Sequence, residues 1–478
     1  MKKNTCLIAL SILTLNLLLK IFYIDITSIA WDEPFSIYHA QMELDKIVEH
    51  LYNGNNPPFF EILLHFWIKI FGVGPFSVRF LPLLFSCLTA VMLFILGNRF
   101  LSLKIGIITS LLFTFSNFHL FFAHSCRVYS LFGLLTVIAI YLFLCLIRDS
   151  KSKTFTFLLI FVNTLILYTH YFGFFVLAIQ GISVIFIQDV RRKLFLKFVF
   201  IGLTIFFLFL PNLMILLERF KASASNGTWV EKPNGIKSLY NMLWNFSNQP
   251  INTVICLTIL LAALIKLIIR KDFKQIQPEK KISAIWFLFP FFLMFLISFQ
   301  IPMFLDRYLI FVSFGYYIVV AISLEYLIAN KWLRTISSFI LILLFAVTFK
   351  PNLDNKRHVK EAVAKTKELK DENTSVIICG RDFVLNFAYY YDLSLFTDID
   401  QKNVYDQMIS RFNKQDIFPV YSMPKEQQLK NKVLYFDAVA DFSHPTNDIL
   451  NTLNERYELV QVYHFETIFN LYEYQLKK

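Results

Sequence analysis

Charge is scarce in this chain of 478 residues: Asp, Glu, Lys and Arg together supply 17%, where an average soluble domain carries about a quarter. That shortage argues against a single water-soluble globule. Glycine is scarcer still, at 13 residues, and neither GxGxxG nor GxxxxGK(S/T) occurs. A Gly-rich loop of the kind that cradles nucleotide phosphates is therefore missing. The six cysteines are scattered: Cys6, Cys87, Cys145 and Cys256 fall in apolar blocks, Cys126 at a block edge and Cys379 in the polar tail. With no CxxC and no Cys/His cluster, neither a disulfide framework nor a structural zinc site is signalled. Disorder is excluded as well, because it requires low hydrophobicity.

What the chain has in excess is apolar. Hydrophobic residues make up 56%, Phe alone numbers 55, and the mean hydropathy is +0.55. These residues come in blocks such as Ile107 to Phe122, Phe155 to Leu167 and Ile336 to Phe349. A helix needs roughly 20 mainly apolar residues to cross a bilayer, so the pattern predicts a polytopic α-helical membrane protein. We count about eleven spans, beginning near Thr5, Phe76, Ile105, Val128, Thr154, Phe172, Leu194, Ile251, Ile282, Phe304 and Leu333.

The net charge of +12 would suggest nucleic acid in a soluble protein. Here most of the basic residues sit in short loops, where they set orientation instead. Alternate loops hold Lys2 and Lys3, Arg99 and Lys104, Arg148 to Lys153, Arg191 to Lys197, Arg270 to Lys281, and Lys331 with Arg334. The opposite loops are longer and hold fewer cations. The N-terminus is thus expected in the cytoplasm and the C-terminus outside, in an inner or plasma membrane. A cleaved signal peptide ending near Ser28-Ile29-Ala30 is an alternative for the first span, and it leaves the later loops on the same sides.

Two domains are expected. Residues 1–350 form the membrane part, with long outer loops at 25–75 and 218–250; residues 351–478 form a small α/β domain on the outer face. Pro57 to Phe71 is amphipathic and suits the interface. Ser223 to Gly227 and Lys232 to Gly235 read as turns. In the tail, helices are expected over His358–Asn373 and Phe383–Tyr391, and strands over Ser375–Cys379, Val433–Phe436, Tyr457–Tyr463 and Thr467–Tyr474.

Ionisable groups at a membrane boundary are costly and so tend to carry a role. Asp32 and Glu33 follow Trp31 directly after the first span, and Pro34 interrupts the backbone there. A carboxylate at that edge can take a proton from an incoming hydroxyl or amine, although the position also suits a solvated loop or a helix N-terminus. Arg127 and Arg307 occupy other outer turns, and a guanidinium fork matches phosphate oxygens; snorkelling, or pairing of Arg307 with Asp306, accounts for them equally well. His170, within Tyr168-Thr169-His170-Tyr171-Phe172-Gly173, can donate to a phosphate or belong to an aromatic belt. His119 and His124 are weaker candidates. No recognisable ligand spacing assigns a metal.

Several short pieces occur in order: Trp31-Asp32-Glu33, Asn56-Pro57-Pro58-Phe59-Phe60, Leu64 to Gly72, Val78 to Pro82, Arg127 to Leu131, Tyr168 to Gly173 and Asp306 to Leu309. Over roughly residues 1 to 350 the chain resembles GT-C-fold glycosyltransferases of the protein O-mannosyltransferase and lipid A aminoarabinose transferase superfamily. The resemblance implies an inverting hexosyl- or pentosyl-transferase whose donor is a sugar on a polyprenyl phosphate. It makes Asp32 the base, with Glu33 beside it. Arg127, Arg307 and His170 become donor-phosphate residues; Asn56, Tyr129 and Tyr308 line the acceptor and loop side. The implied partners are membrane lipid, the lipid-linked sugar and a glycan, lipid or protein acceptor, with no nucleic acid; no cofactor is certain, and a divalent metal stays open. Relatives usually place His or Lys where this chain has Asn56, and many have Glu where it has Ser125. A glycan polymerase or ligase at the outer face, or a lipid-linked-sugar transporter or flippase, remains an alternative.

Overall fold

The computed structural model describes residues 3–52, 56–226, 230–352, 358–396, 404–424, 429–438, 446–465 and 469–478. The chain packs as two units, one of Met1–Tyr23, Leu51–Phe60 and Arg79–Leu353, the other of Ile24–His50, Glu61–Val78 and Asp354–Lys478.

The first unit is helical. It holds α1 (Lys3–Ile21), most of α5 (Pro75–Phe100), α6 (Leu103–Thr114), α7 (Asn117–Ala123), α8 (Tyr129–Arg148), α9 (Lys153–Thr169), α10 (Gly173–Phe186), α11 (Gln188–Asn226), α12 (Gly235–Ser247), α13 (Pro250–Arg270), α14 (Pro278–Ile297), α15 (Ile310–Leu327) and α16 (Lys331–Thr348). Polar side chains at the ends start several of them. Ser102, Ser116 and Ser152 accept from the amides of Ile105, His119 and Phe155, and Asn330 accepts from Trp332 and Leu333. Pro250 and Pro278 stand in the first turns of α13 and α14, where a missing N–H costs nothing.

Among the described residues, eight helices are long and apolar enough to cross a bilayer, or up to nine if the bent pair α6–α7 counts as one span. The spans expected near Thr154 and Phe172 fall on α9 and α10, of 17 and 14 residues. At about 1.5 Å per residue these are shorter than a hydrocarbon core of about 30 Å. The apolar residues of α1, α13 and α16 mostly face outward, as lipid-facing helices must, whereas α8 and α15 are largely buried. The chain is thus an integral membrane protein.

Two departures from expectation have identifiable causes. The stretch from Ile105 bends by 64° between α6 and α7. Asn248, at φ +68°, holds both sides of the break: its Nδ2 donates to Phe115 O at 2.7 Å and its Oδ1 accepts from Asn117 N at 2.8 Å. Backbone groups opened inside lipid need such partners. Further on, α11 runs through Ser223–Asn226, where a turn was expected, because no helix breaker arrives before Gly227 and each added residue gains a bond. Gly227 itself lies outside the described residues.

The second unit holds α2 (Glu33–Ala40), α3 (Leu44–Tyr52) up to His50, α4 (Phe59–Phe71) from Glu61, and a C-terminal α/β fold. That fold comprises α17 (Val359–Leu369), β1 (Thr374–Cys379), α18 (Val384–Tyr391), α19 (Val404–Asn413), β2 (Ile417–Val420), β3 (Lys432–Ala438), α20 (Asp448–Arg456), β4 (Tyr457–Phe465) and β5 (Phe469–Leu476). The strand order is β2-β1-β3-β5-β4. β1 runs parallel to β2 and β3, while β5 is antiparallel to β3 and β4. Central β1 is buried on both faces, which is why Val376 to Cys379 reads as a continuous apolar run. On one face Ile377, Val433, Tyr435 and Tyr474 pack with Ile449 and Leu453 of α20. The expected helices and strands of the tail are present within a few residues, except that residues 467–468 lie outside the described set. Strand β2 and helices α19 and α20 were not foreseen.

Close helix packing makes one prediction. A Cβ at Gly97 would meet the Gly106 Cα at 2.5 Å, and one at Gly106 would meet Phe94 O at 2.7 Å. Backbone cannot yield as a side chain can, so Gly97→Ala and Gly106→Ala should each lower stability by about 1–3 kcal/mol. Gly202→Ala, with nothing within 4 Å, should be neutral or slightly stabilising. Thermal unfolding in detergent checks the contrast.

Candidate active site

Within the first unit, three sequence-predicted residues share one neighbourhood. Arg127 follows α7 in a tight turn, its N–H donating to Ser125 O at 2.7 Å, and its side chain is buried. Arg307 lies in the 3₁₀ turn Asp306–Tyr308, where its N–H donates to Asp306 Oδ1 at 2.6 Å. His170 ends α9 as the chain reverses into α10. That reversal is tight: the Gly173 N–H donates to His170 O at 2.9 Å, and a Cβ at Gly173 would sit 2.5 Å from Ile166 Cγ2.

The imidazole of His170 is buried and stacks against Phe132 at 5.0 Å and Phe172 at 5.3 Å. The rings of Tyr308 and Tyr129 lie 5.9 and 6.1 Å away. Burial, followed by the positive charges of Arg127 and Arg307, pushes its pKa down to about 3. The ring is therefore neutral at physiological pH. Its Nδ1 accepts from the Phe172 N–H at 3.1 Å, which leaves the proton on Nε2. Among the described residues that Nε2–H has no partner. A buried donor without an acceptor costs about 1–3 kcal/mol. A neutral donor and two guanidinium groups, close enough for their charges to be felt on the ring, suit an oxyanion with several oxygens.

Sequence reasoning passed over Lys20, at the end of α1. It is fully buried; its Nζ donates to Ser86 Oγ at 3.2 Å and lies 4.8 Å from the Phe113 ring centre, and its carbonyl accepts from His124 Nε2 at 2.6 Å. A lysine at the end of an apolar run looks like a snorkelling side chain, and only the distant partners show otherwise. His119 is a packing residue, stacked on Phe314 at 5.1 Å with Nε2 2.8 Å from Ser313 Oγ. Asn56 is partly exposed ahead of α4.

The acidic pair lies in the second unit. Asp32 is exposed and stands at the N-cap of α2 without making a side-chain capping bond. Glu33 is buried and closes the turn instead: its Oε2 accepts from Ala30 N at 3.3 Å while its own N–H donates to Ala30 O at 3.2 Å. Helix α4 pins α2 from the side. Ser36 Oγ donates to Glu61 Oε1 at 2.7 Å, and His65 Nδ1 donates to Ala40 O at 2.9 Å, at the helix end where unpaired carbonyls collect. Among the described residues, no three His, Cys, Asp or Glu side chains gather as a metal site.

Comparisons with known proteins fall on this architecture. Residues 55–215 match the family model described as dolichyl-phosphate-mannose-protein mannosyltransferase. The fold matches ArnT from Cupriavidus metallidurans at 10% identity and a TM-score of 0.59, over 98% of this chain and 97% of that one, both in the apo state and bound to undecaprenyl phosphate. It also matches the Archaeoglobus fulgidus oligosaccharyltransferase AglB in complex with an inhibitory peptide and a dolichol-phosphate, at 11% identity and a TM-score of 0.55, over all of this chain and 74% of that one. No curated protein sequence matches the chain. The fold is that of the GT-C glycosyltransferases. The resemblance to the protein O-mannosyltransferase and lipid A aminoarabinose transferase superfamily is thus borne out, in sequence over part of the chain and in fold over nearly all of it.

The depressed pKa of His170 has a measurable consequence. Between its ordinary value of 6.5 and about 3, the unfolded chain binds a proton that the folded chain refuses. Stability should therefore fall as the pH drops below 6.5, by up to about 1.4 kcal/mol per unit. Melting in detergent at pH 7 and 5 should show a smaller loss for His170→Phe than for wild type.

Proposed function

We propose that the protein is an inverting glycosyltransferase that moves a sugar from a polyprenyl-phosphate donor to an acceptor at the outer face of the cell membrane, with the N-terminus cytoplasmic and the C-terminal domain outside. The observation that carries this reading is the neutral Nε2–H of His170, without a partner among the described residues and in the field of Arg127 and Arg307. A lipid phosphodiester offers an oxygen to the His170 N–H and negative charge to the two guanidinium groups, and its tail suits a lipid-facing bundle of helices. Undecaprenyl phosphate and dolichol-phosphate, present in the structures of two neighbours, are likewise phosphates on a polyprenyl tail.

In this mechanism Asp32 takes the proton from the acceptor's hydroxyl or amine as that atom attacks the anomeric carbon. The bond to the phosphate oxygen breaks on the opposite face, so the configuration inverts. Arg127, Arg307 and the His170 N–H stabilise the charge that gathers on the leaving phosphate. Glu33 holds the turn that carries Asp32, and Tyr129, Tyr308 and Asn56 line the acceptor and loop side. No step is routed through a metal.

The test supplies purified protein with polyprenyl-phosphate sugars and follows release of polyprenyl phosphate. Asp32→Asn should lower kcat by about 10²- to 10⁴-fold, and an unchanged rate rejects the base. Arg127→Ala and Arg307→Ala should raise the donor KM and lower kcat, each by about tenfold or more; unchanged donor dependence rejects the phosphate site. Activity that survives Asp32→Asn but not the arginine substitutions points to a glycan polymerase or ligase instead.

A further inference from the structure

The turn that carries Asp32 is strained. Trp31 sits at φ +57°, a left-handed conformation that a bulky residue adopts only when its surroundings impose it, at a cost of about 1–3 kcal/mol. Besides the Glu33 contacts with Ala30, the C-terminal α/β fold, within the same unit, holds this turn. Asn386 of α18 donates from Nδ2 to the Trp31 carbonyl at 3.3 Å. The neighbouring Tyr390 hydroxyl accepts from the Ile29 N–H at 2.6 Å, and the Phe383 ring meets the Trp31 indole edge-on at 6.5 Å. Both flanks of the turn are therefore gripped by one short helix and the residue just before it.

Asn386 is the informative member. It is buried, and its Oδ1 has no partner among the described residues. A buried amide with half its hydrogen-bonding capacity unused is destabilising. Its amide Nδ2 donates to the carbonyl directly preceding Asp32.

We propose that the C-terminal domain is a clamp for catalysis, with Asn386 and Tyr390 as positioning residues that hold the Trp31–Asp32 turn so that the carboxylate is fixed in place before the acceptor arrives. This rests on the assignment of Asp32 as base. Preorganisation of that kind acts on kcat, because misplacing a catalytic group by an ångström costs far more than binding does.

The experiment compares wild type, Asn386→Ala, Tyr390→Phe, Trp31→Gly and the double variant Trp31→Gly/Asn386→Ala in the full-length protein. Asn386→Ala should lower kcat about tenfold while the donor KM and the affinity for undecaprenyl phosphate, which report a folded protein, stay within about twofold of wild type. Hydrogen exchange in the segment 24–36 should quicken in both Asn386→Ala and Tyr390→Phe. Glycine adopts positive φ without strain, so Trp31→Gly should restore part of the kcat lost in the Asn386→Ala background, a coupling that a merely structural contact would not give. Unchanged exchange, unchanged kcat, or strictly additive losses in the double variant overturn the clamp. Asp32→Asn, measured alongside, separates the two claims: if it turns over at the wild-type rate the base assignment falls, and exchange in 24–36 still decides whether Asn386 and Tyr390 hold the turn.

Discussion

Lipid cannot hydrogen-bond, so every peptide group placed in it must find its partner within the protein. That constraint explains why the first unit is built of helices, and it also decides where those helices are allowed to stop. The break between α6 and α7 is tolerated because Asn248 supplies an acceptor to one side and a donor to the other. Several other helix starts are capped by Ser or Asn side chains or carry proline in the first turn. The residues of the candidate anion site, Arg127, His170 and Arg307, all lie in such interruptions.

The second unit obeys a different rule. There a five-stranded sheet supplies the regularity that lipid enforces elsewhere. Its α18 reaches the residues around Asp32, so a segment some 350 positions away in sequence shapes the local conformation of the turn. The acidic turn is supported from two directions: by α4 through Glu61 and His65, and by α18 through Asn386 and Tyr390.

Much of this was legible in the sequence, and what was not has identifiable causes. Apolar blocks announced the helices, since span length and hydropathy are local properties. The bend at Phe115 was invisible because its cause lies 133 residues further on, in an asparagine with no motif around it. Strand β2 was hidden by Pro419, which the sheet accepts because β2 is an edge strand. Arg127, Arg307 and His170 stood out because charge or a titratable ring at a span boundary is rare. Lys20 and Asn386 did not, since a lysine closing an apolar run and an asparagine within a short helix are ordinary until their partners are seen.

The neutrality of the His170 ring has a consequence for the conditions under which such a site can work. Its formal charge comes from two guanidinium groups that no accessible acidity or alkalinity alters, and its third donor stays uncharged until the surroundings become strongly acidic. An anion gripped in this way is held with constant strength while the medium drifts.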